Sequence, residues 1–183
     1  MSRQIKSLVG FLVVLIVVGV SLFYIQAKPK GKQAVAYLVT SDGKPAGAVS
    51  FYPDKKGVKI EAKLKNLSNG THAFHIHEKG KCDRPNFKSA GGHFNPFNSE
   101  HGFLNPKGPH AGDLPNVLIS NNQAEAAFVS GRLSLTAGDE NYLLKEGGTA
   151  VVIHQGFDDY ITDPAGMGGA RIACGVIKEI GEN

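Results

Sequence analysis

The stretch VKIEAKLK, residues 58–65, alternates apolar side chains with charged ones at every step. A period of two is typical of a β-strand that buries one face and exposes the other to water. Other short apolar segments bounded by turn residues predict further strands. They lie at 33–40, 47–52, 71–78, 117–120, 124–129, 150–154 and 171–178. No segment beyond position 30 carries a helical apolar stripe, so the sequence predicts an all-β sandwich or barrel.

The composition excludes several classes of protein. A chain of 183 residues that is 42% hydrophobic is long and apolar enough to fold around a core. Its 23 glycines follow no three-residue period, which excludes collagen and indicates a loop-rich domain. Two cysteines are too few for a disulfide-dense scaffold or a four-thiolate metal site. With no Trp and a diffuse net charge of +4, the chain is not expected to bind nucleic acid.

The amino-terminal segment has a pattern of its own. Arg3 and Lys6 precede an uncharged apolar run at residues 8–25, which as a helix would extend about 27 Å, close to the thickness of a bilayer core. The run is longer than most signal-peptide cores and ends in a poor cleavage site, so a retained membrane anchor and a cleaved signal peptide both stay open. Either one predicts an exported domain, which is periplasmic or secreted if the leader is cut. We therefore divide the chain into a leader at 1–27 and a domain at 28–183.

A pair of histidines lies on one predicted strand. His75 and His77 are two positions apart, so their side chains leave the same face of the strand, whereas Phe74 and Ile76 point into the core. Two imidazoles on one face form half of a metal site. Two surface histidines on an exposed strand are the alternative.

Two connections between predicted strands, at 79–115 and 155–170, are unusually long, and long ordered loops are usually functional. The first contains three histidines and an aspartate: His93, His101, His110 and Asp113. Three imidazoles and one carboxylate make a complete tetrahedral set for zinc, and imidazole also suits copper. A solvated histidine-rich loop is the alternative, but it does not explain why an acid follows His110 in a stretch otherwise poor in carboxylates.

Two further histidines lie at strand positions. His154 ends the apolar strand at 150–154 and is placed to complete a second metal site with His75 and His77. His72 shares its strand parity with Phe74, so it is expected to be a structural histidine, hydrogen-bonded beneath the site.

Four motifs contain most of these residues: HAFHIHE at 72–78, AGGHFNP at 90–96, HAGDLPN at 110–116 and ARIACGVI at 170–177. In this order and at this spacing they resemble the copper/zinc superoxide dismutase family, in particular its bacterial, exported members. The resemblance covers residues 33–178. It implies an eight-stranded Greek-key barrel with two long functional loops. In this chain one N-terminal hydrophobic helix is expected to precede the barrel.

The resemblance assigns the ligands to two ions. Copper would be bound by His75, His77, His154 and His93. Zinc would be bound by His93, His101, His110 and Asp113. His93 would therefore bridge the two metals as an imidazolate.

The resemblance also implies roles for residues around the ions. Asp158 would join His101 to His75 by hydrogen bonds, because outer carboxylates fix the orientation of ligand rings. Asp159 is the rival candidate for this role.

Arg171 would face the copper channel and guide a small anion, since a guanidinium keeps its charge and offers a fork of donors. Cys82 and Cys174 would form the intrasubunit disulfide of the family, which agrees with an oxidising compartment.

The implied function is dismutation of superoxide to oxygen and hydrogen peroxide, with Cu and Zn as cofactors and Arg171 and His93 as catalytic residues. A non-enzymatic extracytoplasmic copper/zinc-binding or copper-delivery module is the alternative, and an anchored adhesion domain is a second one. The complete ligand set argues against both.

The chain contacts a membrane through residues 8–25 if the leader is uncleaved. A homodimer and a monomer both stay open, because the charged stretch at 178–183 does not resemble the apolar end that pairs eukaryotic subunits.

Overall fold

Nine β-strands and one short 3₁₀ helix occupy residues 32–181, the part of the chain that the computed structural model describes. The strands are β1 (Gln33–Thr40), β2 (Pro45–Asp54), β3 (Gly57–Lys65), β4 (Gly70–His72), β5 (Phe74–His77), β6 (Val117–Ile119), β7 (Gln123–Ser130), β8 (Ala150–His154) and β9 (Arg171–Ile180). The 3₁₀ helix spans Lys88–Ala90.

The strands pair antiparallel throughout. Seven of the described strands form one sheet in the order β5-β8-β9-β1-β2-β3-β7, and β4 and β6 form a separate pair. Buried side chains from across the large sheet belong to one core cluster, so the sheet curls around that core. The all-β class predicted from the sequence is confirmed.

The alternating stretch at 58–65 forms most of β3, as predicted. Its apolar side chains are buried in the core, and those of Lys59, Lys63 and Lys65 are exposed. β3 pairs with β2 on one side and with the edge strand β7 on the other, and its inward face contributes to the core. Burying one face of a sheet in this way fixes the register, because a slip by one residue would bury the lysines.

The segment predicted as one strand at 71–78 is divided at Ala73 into β4 and β5. The amide of Ala73 donates to the carbonyl of Gly156 at 2.7 Å, and its carbonyl accepts from the amide of His154 at 2.9 Å. The backbone therefore leaves β6 at this residue and joins β8, which is why the described strands form a seven-stranded sheet and a pair. Phe74 and Ile76 enter the core as expected.

The free edge of β5 is paired with the long loop that follows it. Ile76 exchanges backbone hydrogen bonds with Gly112 and Phe94 at 2.8 Å, so the loop runs beside the strand. Isolated bridges join His75 to Asp113 and His77 to His93. As a result His75 and His77 are only 0% and 1% exposed, although they point away from the core. The loop thus converts a surface pair of histidines into a buried site.

The predicted disulfide between Cys82 and Cys174 is confirmed, with 5.7 Å between the Cα atoms. It ties the long loop to β9 and packs in a small buried cluster with Phe87, Ala90 and Val152. Because it joins positions 92 residues apart, chain-entropy arguments give a stabilisation of about 4–5 kcal/mol.

The sequence-based predictions for the leader, namely the 1–27 boundary and the hydrophobic helix at 8–25, lie outside the described residues. Between residues 32 and 181, no helix is long and apolar enough to cross a membrane.

Candidate metal centre

Three histidines on neighbouring strands form one side of the site. β5 and β8 pair with His75 opposite Val152 and His77 opposite Ala150, and His154 ends β8. One ligand nitrogen from each ring lies within 4.8 Å of the others and of one from His93. We call these four residues, His75, His77, His93 and His154, the copper-side set.

Hydrogen bonds fix which nitrogen of each ring faces the centre of the copper-side set. His77 Nδ1 lies 3.0 Å from the carbonyl oxygen of Gly91, and His154 Nδ1 lies 3.2 Å from that of Gly169. The opposite nitrogens, Nε2 of His77 and Nε2 of His154, are 3.4 Å apart and face each other. For His75 the order is reversed, because its Nε2 lies 2.7 Å from Asp158 Oδ2 and its Nδ1 remains for a metal.

A second donor set surrounds one oxygen of Asp113. Its Oδ1 lies 2.9 Å from His93 Nδ1, 3.1 Å from His101 Nδ1 and 3.3 Å from His110 Nδ1. Ligand atoms around a tetrahedral zinc lie roughly 3.3 Å apart, which follows from Zn–N distances near 2.0 Å. His75, and not His110, has a ligand atom within 4.8 Å of those of His93, His101 and Asp113. Because His75 Nε2 bonds Asp158 and its Nδ1 serves the copper-side set, we assign His110 to this group instead. We call His93, His101, His110 and Asp113 the zinc-side set.

The donor atoms fit cations. Within residues 32–181, the buried side-chain nitrogens or oxygens without a hydrogen-bond partner are His75 Nδ1, His93 Nε2 and His101 Nδ1. Leaving such a group unpaired in the interior costs about 1–3 kcal/mol. All three belong to the two sets, and a bound metal ion satisfies each of them. His93 contributes Nδ1 to the zinc side and Nε2 to the copper side.

The two sets differ in their electrostatics. Burial lowers the pKa of His154 to about 4 and that of His93 to about 3, and it holds the pKa of His77 well below its usual value. Neutral imidazole is the form that binds a metal, so these rings are ready to do so at pH 7. Burial also acts to lower the pKa of His101, but Asp113 and Asp158 outweigh it and raise that pKa to about 9.

Asp158 connects the two sets. Its Oδ2 lies 2.7 Å from His75 Nε2, and its Oδ1 lies 2.9 Å from His101 Nε2. The side chain is 2% exposed. Burial alone would raise its pKa, but hydrogen bonds from His101 and His75 hold it well below its usual value. Asp159, the rival candidate, is half-buried and instead accepts hydrogen bonds from the amides of Ile161 and Thr162.

Arg171 begins β9 beside the copper-side set. Its Nη1 donates to the carbonyl of Phe87 at 2.7 Å, and its Nη2 donates to that of Gly91 at 2.6 Å. The Gly91 carbonyl is the one that also contacts His77 Nδ1. These bonds fix the guanidinium next to His77, where it places a permanent positive charge. The half-buried side chain remains partly open to solvent.

His72 lies beneath the site, as its strand parity indicated. Its Nδ1 is 2.8 Å from the carbonyl oxygen of His154, and its Nε2 is 2.9 Å from that of Ser68. It therefore supports the backbone of His154 and takes no part in either donor set.

The sequence analysis did not identify three residues that support the ligands. Asn116 donates to the carbonyl of Asp158 at 2.9 Å and accepts from its amide at 2.8 Å. Asp163 accepts from the amide of His101 at 2.7 Å. Gly166 has a φ of 64°, and a Cβ there would collide with Asp158 Oδ1. Asn116 lies in the motif at 110–116, which could have drawn attention to it, whereas nothing in the sequence marks Asp163.

Comparison with known proteins gives consistent matches. The family model for copper/zinc superoxide dismutase (SODC) matches residues 45–177. A Cu-Zn superoxide dismutase of Aquifex aeolicus is 50% identical over 145 residues, which cover 78% of this chain and 86% of that protein. One from Caulobacter vibrioides is 45% identical and covers 79% of this chain and 85% of that protein. Among solved structures, a double mutant of a superoxide dismutase-like protein from Bacillus subtilis matches with a TM-score of 0.76 and 45% identity, over 78% of this chain and 95% of that one.

Proposed function

Since this chain belongs to the copper/zinc superoxide dismutase family, we propose that Arg171 guides the substrate to its metal centre, that His93 carries the proton, and that the domain is anchored outside the cytoplasm. The protein is a superoxide dismutase, an oxidoreductase with intact copper and zinc sites. The observation that carries the proposed roles is the pair of buried donor sets that share His93 and leave three ring nitrogens for metals.

When bound, copper would supply a centre that takes one electron from one superoxide and returns it to a second, so that two superoxide anions and two protons give oxygen and hydrogen peroxide, whereas zinc keeps one oxidation state. Arg171 binds and orients the anion, because its guanidinium is permanently charged and offers further N–H donors. The carbonyls of Phe87 and Gly91 hold that guanidinium in place before the substrate arrives. Such preorganisation saves the energy of ordering the side chain during the reaction.

His93 is the proton carrier in this proposal. Its Nδ1 stays with the zinc-side set, 2.9 Å from Asp113 Oδ1. Its Nε2 faces the copper-side set, and when this nitrogen is not bound to copper it can take a proton and pass it to the peroxide. Because the ring is held from its zinc side, the proton moves to and from one atom without a change in the position of the ring.

Asp158 orients His75 and His101 together. A carboxylate bonded to the outer nitrogen of a ligand histidine fixes the tautomer and the angle of the ring. By accepting from both rings, Asp158 couples the geometry of the copper side to that of the zinc side.

The disulfide and the bacterial relatives favour a compartment outside the cytoplasm. We propose in addition that residues 1–27 form a leader that precedes the domain at 28–183. Its apolar run at 8–25 is a helix that anchors the domain in the membrane, unless the leader is cut. We also propose that the domain is an eight-stranded Greek-key barrel, in which β4 and β5 count as one strand. A monomer and a homodimer both stay open, and light scattering of the purified protein distinguishes them.

The test of the proposed roles is the decay rate of superoxide after pulse radiolysis, with full-length protein loaded with copper and zinc. We expect a copper-dependent rate that falls at least about tenfold in Arg171→Ala, because the charge that attracts the anion is gone. Lys56→Ala is the matched control, since Lys56 is an exposed cation in the turn between β2 and β3. An equal fall in both variants would reject the guiding role of Arg171. No decay above buffer with both metals bound would favour the metal-binding or delivery module.

A further inference from the structure

Tyr160 lies where the two long loops meet. Its hydroxyl accepts a hydrogen bond from the amide of Asn116 at 2.7 Å, and its carbonyl accepts one from the amide of Leu104 at 2.9 Å. Its ring packs edge-on against Phe103, with 5.5 Å between the centroids. Tyr160 thus contacts the first loop on both sides of the zinc ligands His110 and Asp113.

Tyr160 also contacts the carboxylate that joins the two donor sets. Its amide donates to Asp158 Oδ1 at 2.7 Å, the oxygen that contacts His101 Nε2. The amide of Asn116 donates to the hydroxyl of Tyr160, and the side chain of Asn116 hydrogen-bonds to both the amide and the carbonyl of Asp158. The position of Asp158 therefore depends on Tyr160 directly and through Asn116.

The backbone of Tyr160 is held in a conformation that a tyrosine does not adopt by preference. Its φ is 63°, in the left-handed region, which costs a bulky residue on the order of 1 kcal/mol or more. A conformation of this kind persists only where the surroundings impose it. The close approach of Gly102 to the carbonyl of Tyr160, which leaves no space for a Cβ at position 102, shows how tightly the loops meet here.

We propose that Tyr160 is a positioning residue for the metal centre, whose hydroxyl sets the placement of Asp158 and thereby the retention of zinc and the geometry of the copper-side set. The proposal rests on the role given to Asp158 above. It concerns a contact between loops and not a metal ligand, so its effect acts through Asp158, His101 and His75. Loss of a group that bonds a metal ligand directly typically weakens metal binding by about 10–100-fold, so for Tyr160, which acts through Asp158, we expect the lower end of that range.

Tyr160→Phe is the direct test, because it removes the hydroxyl and keeps both the ring and the backbone amide. The measurements are the rate of zinc transfer to a chelator and the electron paramagnetic resonance spectrum of Cu(II), both on the full-length protein loaded with the two metals. We expect zinc release about tenfold faster than in the parent protein, together with a changed copper hyperfine splitting.

Tyr37→Phe is the matched control, since Tyr37 is 74% exposed and its hydroxyl hydrogen-bonds to no residue between 32 and 181. We expect this variant to match the parent in both measurements. Equal zinc release and equal spectra in Tyr160→Phe and Tyr37→Phe would overturn the proposal. Zinc release that accelerates only in step with global unfolding, as followed by the midpoint in urea, would overturn it as well, because that result marks a purely structural residue.

Asp158→Asn separates this proposal from the one on which it rests. If Asp158→Asn releases zinc no faster than the parent, the role of Asp158 fails and the proposal for Tyr160 fails with it. If Asp158→Asn releases zinc rapidly and Tyr160→Phe does not, the role of Asp158 stands and only the proposal for Tyr160 is overturned.

Discussion

The copper-side and zinc-side sets share His93, but they are built from different kinds of structure. On the copper side, His75, His77 and His154 come from paired strands of the main sheet. On the zinc side, the ligands other than His93 come from the same long loop as His93 itself, and none of them belongs to one of the nine described strands. One site is therefore placed by the register of a sheet, and the other by the hydrogen bonds of a loop.

The chemistry of the two sets follows the same division. The copper side has only imidazoles as donors, and burial keeps the pKa values of His154 and His77 low. The zinc side contains Asp113, and its ligand His101 contacts a second carboxylate as well, so the pKa of His101 is raised to about 9. A neutral, rigid set suits an ion that changes charge during the reaction. An anionic set suits one that holds a fixed charge and shapes the loop.

The largest effect that separates the two sides is expected from removing one ligand of each. His77→Ala leaves the copper side with three imidazoles, and we expect superoxide decay to slow by about 100-fold or more while zinc is retained. His110→Ala should instead lose zinc and keep most of the copper, with a smaller fall in rate. Metal content and pulse radiolysis on both variants check this. Loss of both metals in either variant would mean that the two sides act as one unit.

The pH dependence of the metal-free protein is the second way to separate them. His154 and His93 have folded pKa values of about 4 and about 3, below the value near 6.5 expected after unfolding, so the unfolded chain binds more protons in acid. We expect stability to fall as the pH drops from about 6.5 towards 4. His101 has a folded pKa of about 9, so its contribution is present below 6.5 and is lost as the pH rises through 9.

Urea midpoints between pH 4 and pH 10 test this expectation, with losses on the order of 1–3 kcal/mol on each side. His154→Gln should reduce the loss of stability on the acid side only, because His93 and His77 still have lowered pKa values. His101→Gln should reduce the loss on the alkaline side only. If each variant instead changed the urea midpoint equally on the acid side and on the alkaline side, the two sets would titrate together.

The sequence predicts the copper side and the strands more completely than the loops, for a physical reason. Strand side chains alternate with a fixed period, so His75, His77 and the inward Phe74 could be placed from position alone. Even there the break at Ala73 was missed, because it arises from hydrogen bonds to Gly156 and His154, which are distant in the chain. The contacts of a loop follow no period.

The zinc side shows that limit. The residues of the first loop themselves indicated its zinc ligands, and the resemblance supplied Asp158, which lies at a set spacing from His154. It did not supply Asn116, Tyr160 or Asp163, whose roles depend on how the segment at 155–170 folds over the first loop. That segment is held by side-chain to backbone hydrogen bonds between loops, which neither composition nor alternation encodes.

Gly166→Ala sharpens the comparison on the zinc side. A Cβ at this position would collide with Asp158 and lie 2.6 Å from His101 Nε2, and the φ of 64° is unfavourable for alanine. We expect zinc release about tenfold faster, because Asp158 must move from His101. Gly138→Ala is the control, since Gly138 also has a positive φ but a Cβ there meets nothing within 4 Å. Equally accelerated zinc release in the two variants would show that backbone strain, and not the collision, is responsible, and release at the parental rate in Gly166→Ala would contradict the prediction.

Asp163→Ala gives the smallest expected effect and the strictest test of the division. Asp163 accepts one hydrogen bond from the amide of His101 and lies on no strand, so its loss removes about 1 kcal/mol of support from a zinc ligand. We expect zinc release to rise by about fivefold and the Cu(II) spectrum to stay unchanged, because His75 keeps its bond to Asp158. A change in the copper spectrum of this variant would mean that strain in the loop reaches the sheet through Asp158. The register of β5 and β8 would then not be enough to place the copper ligands.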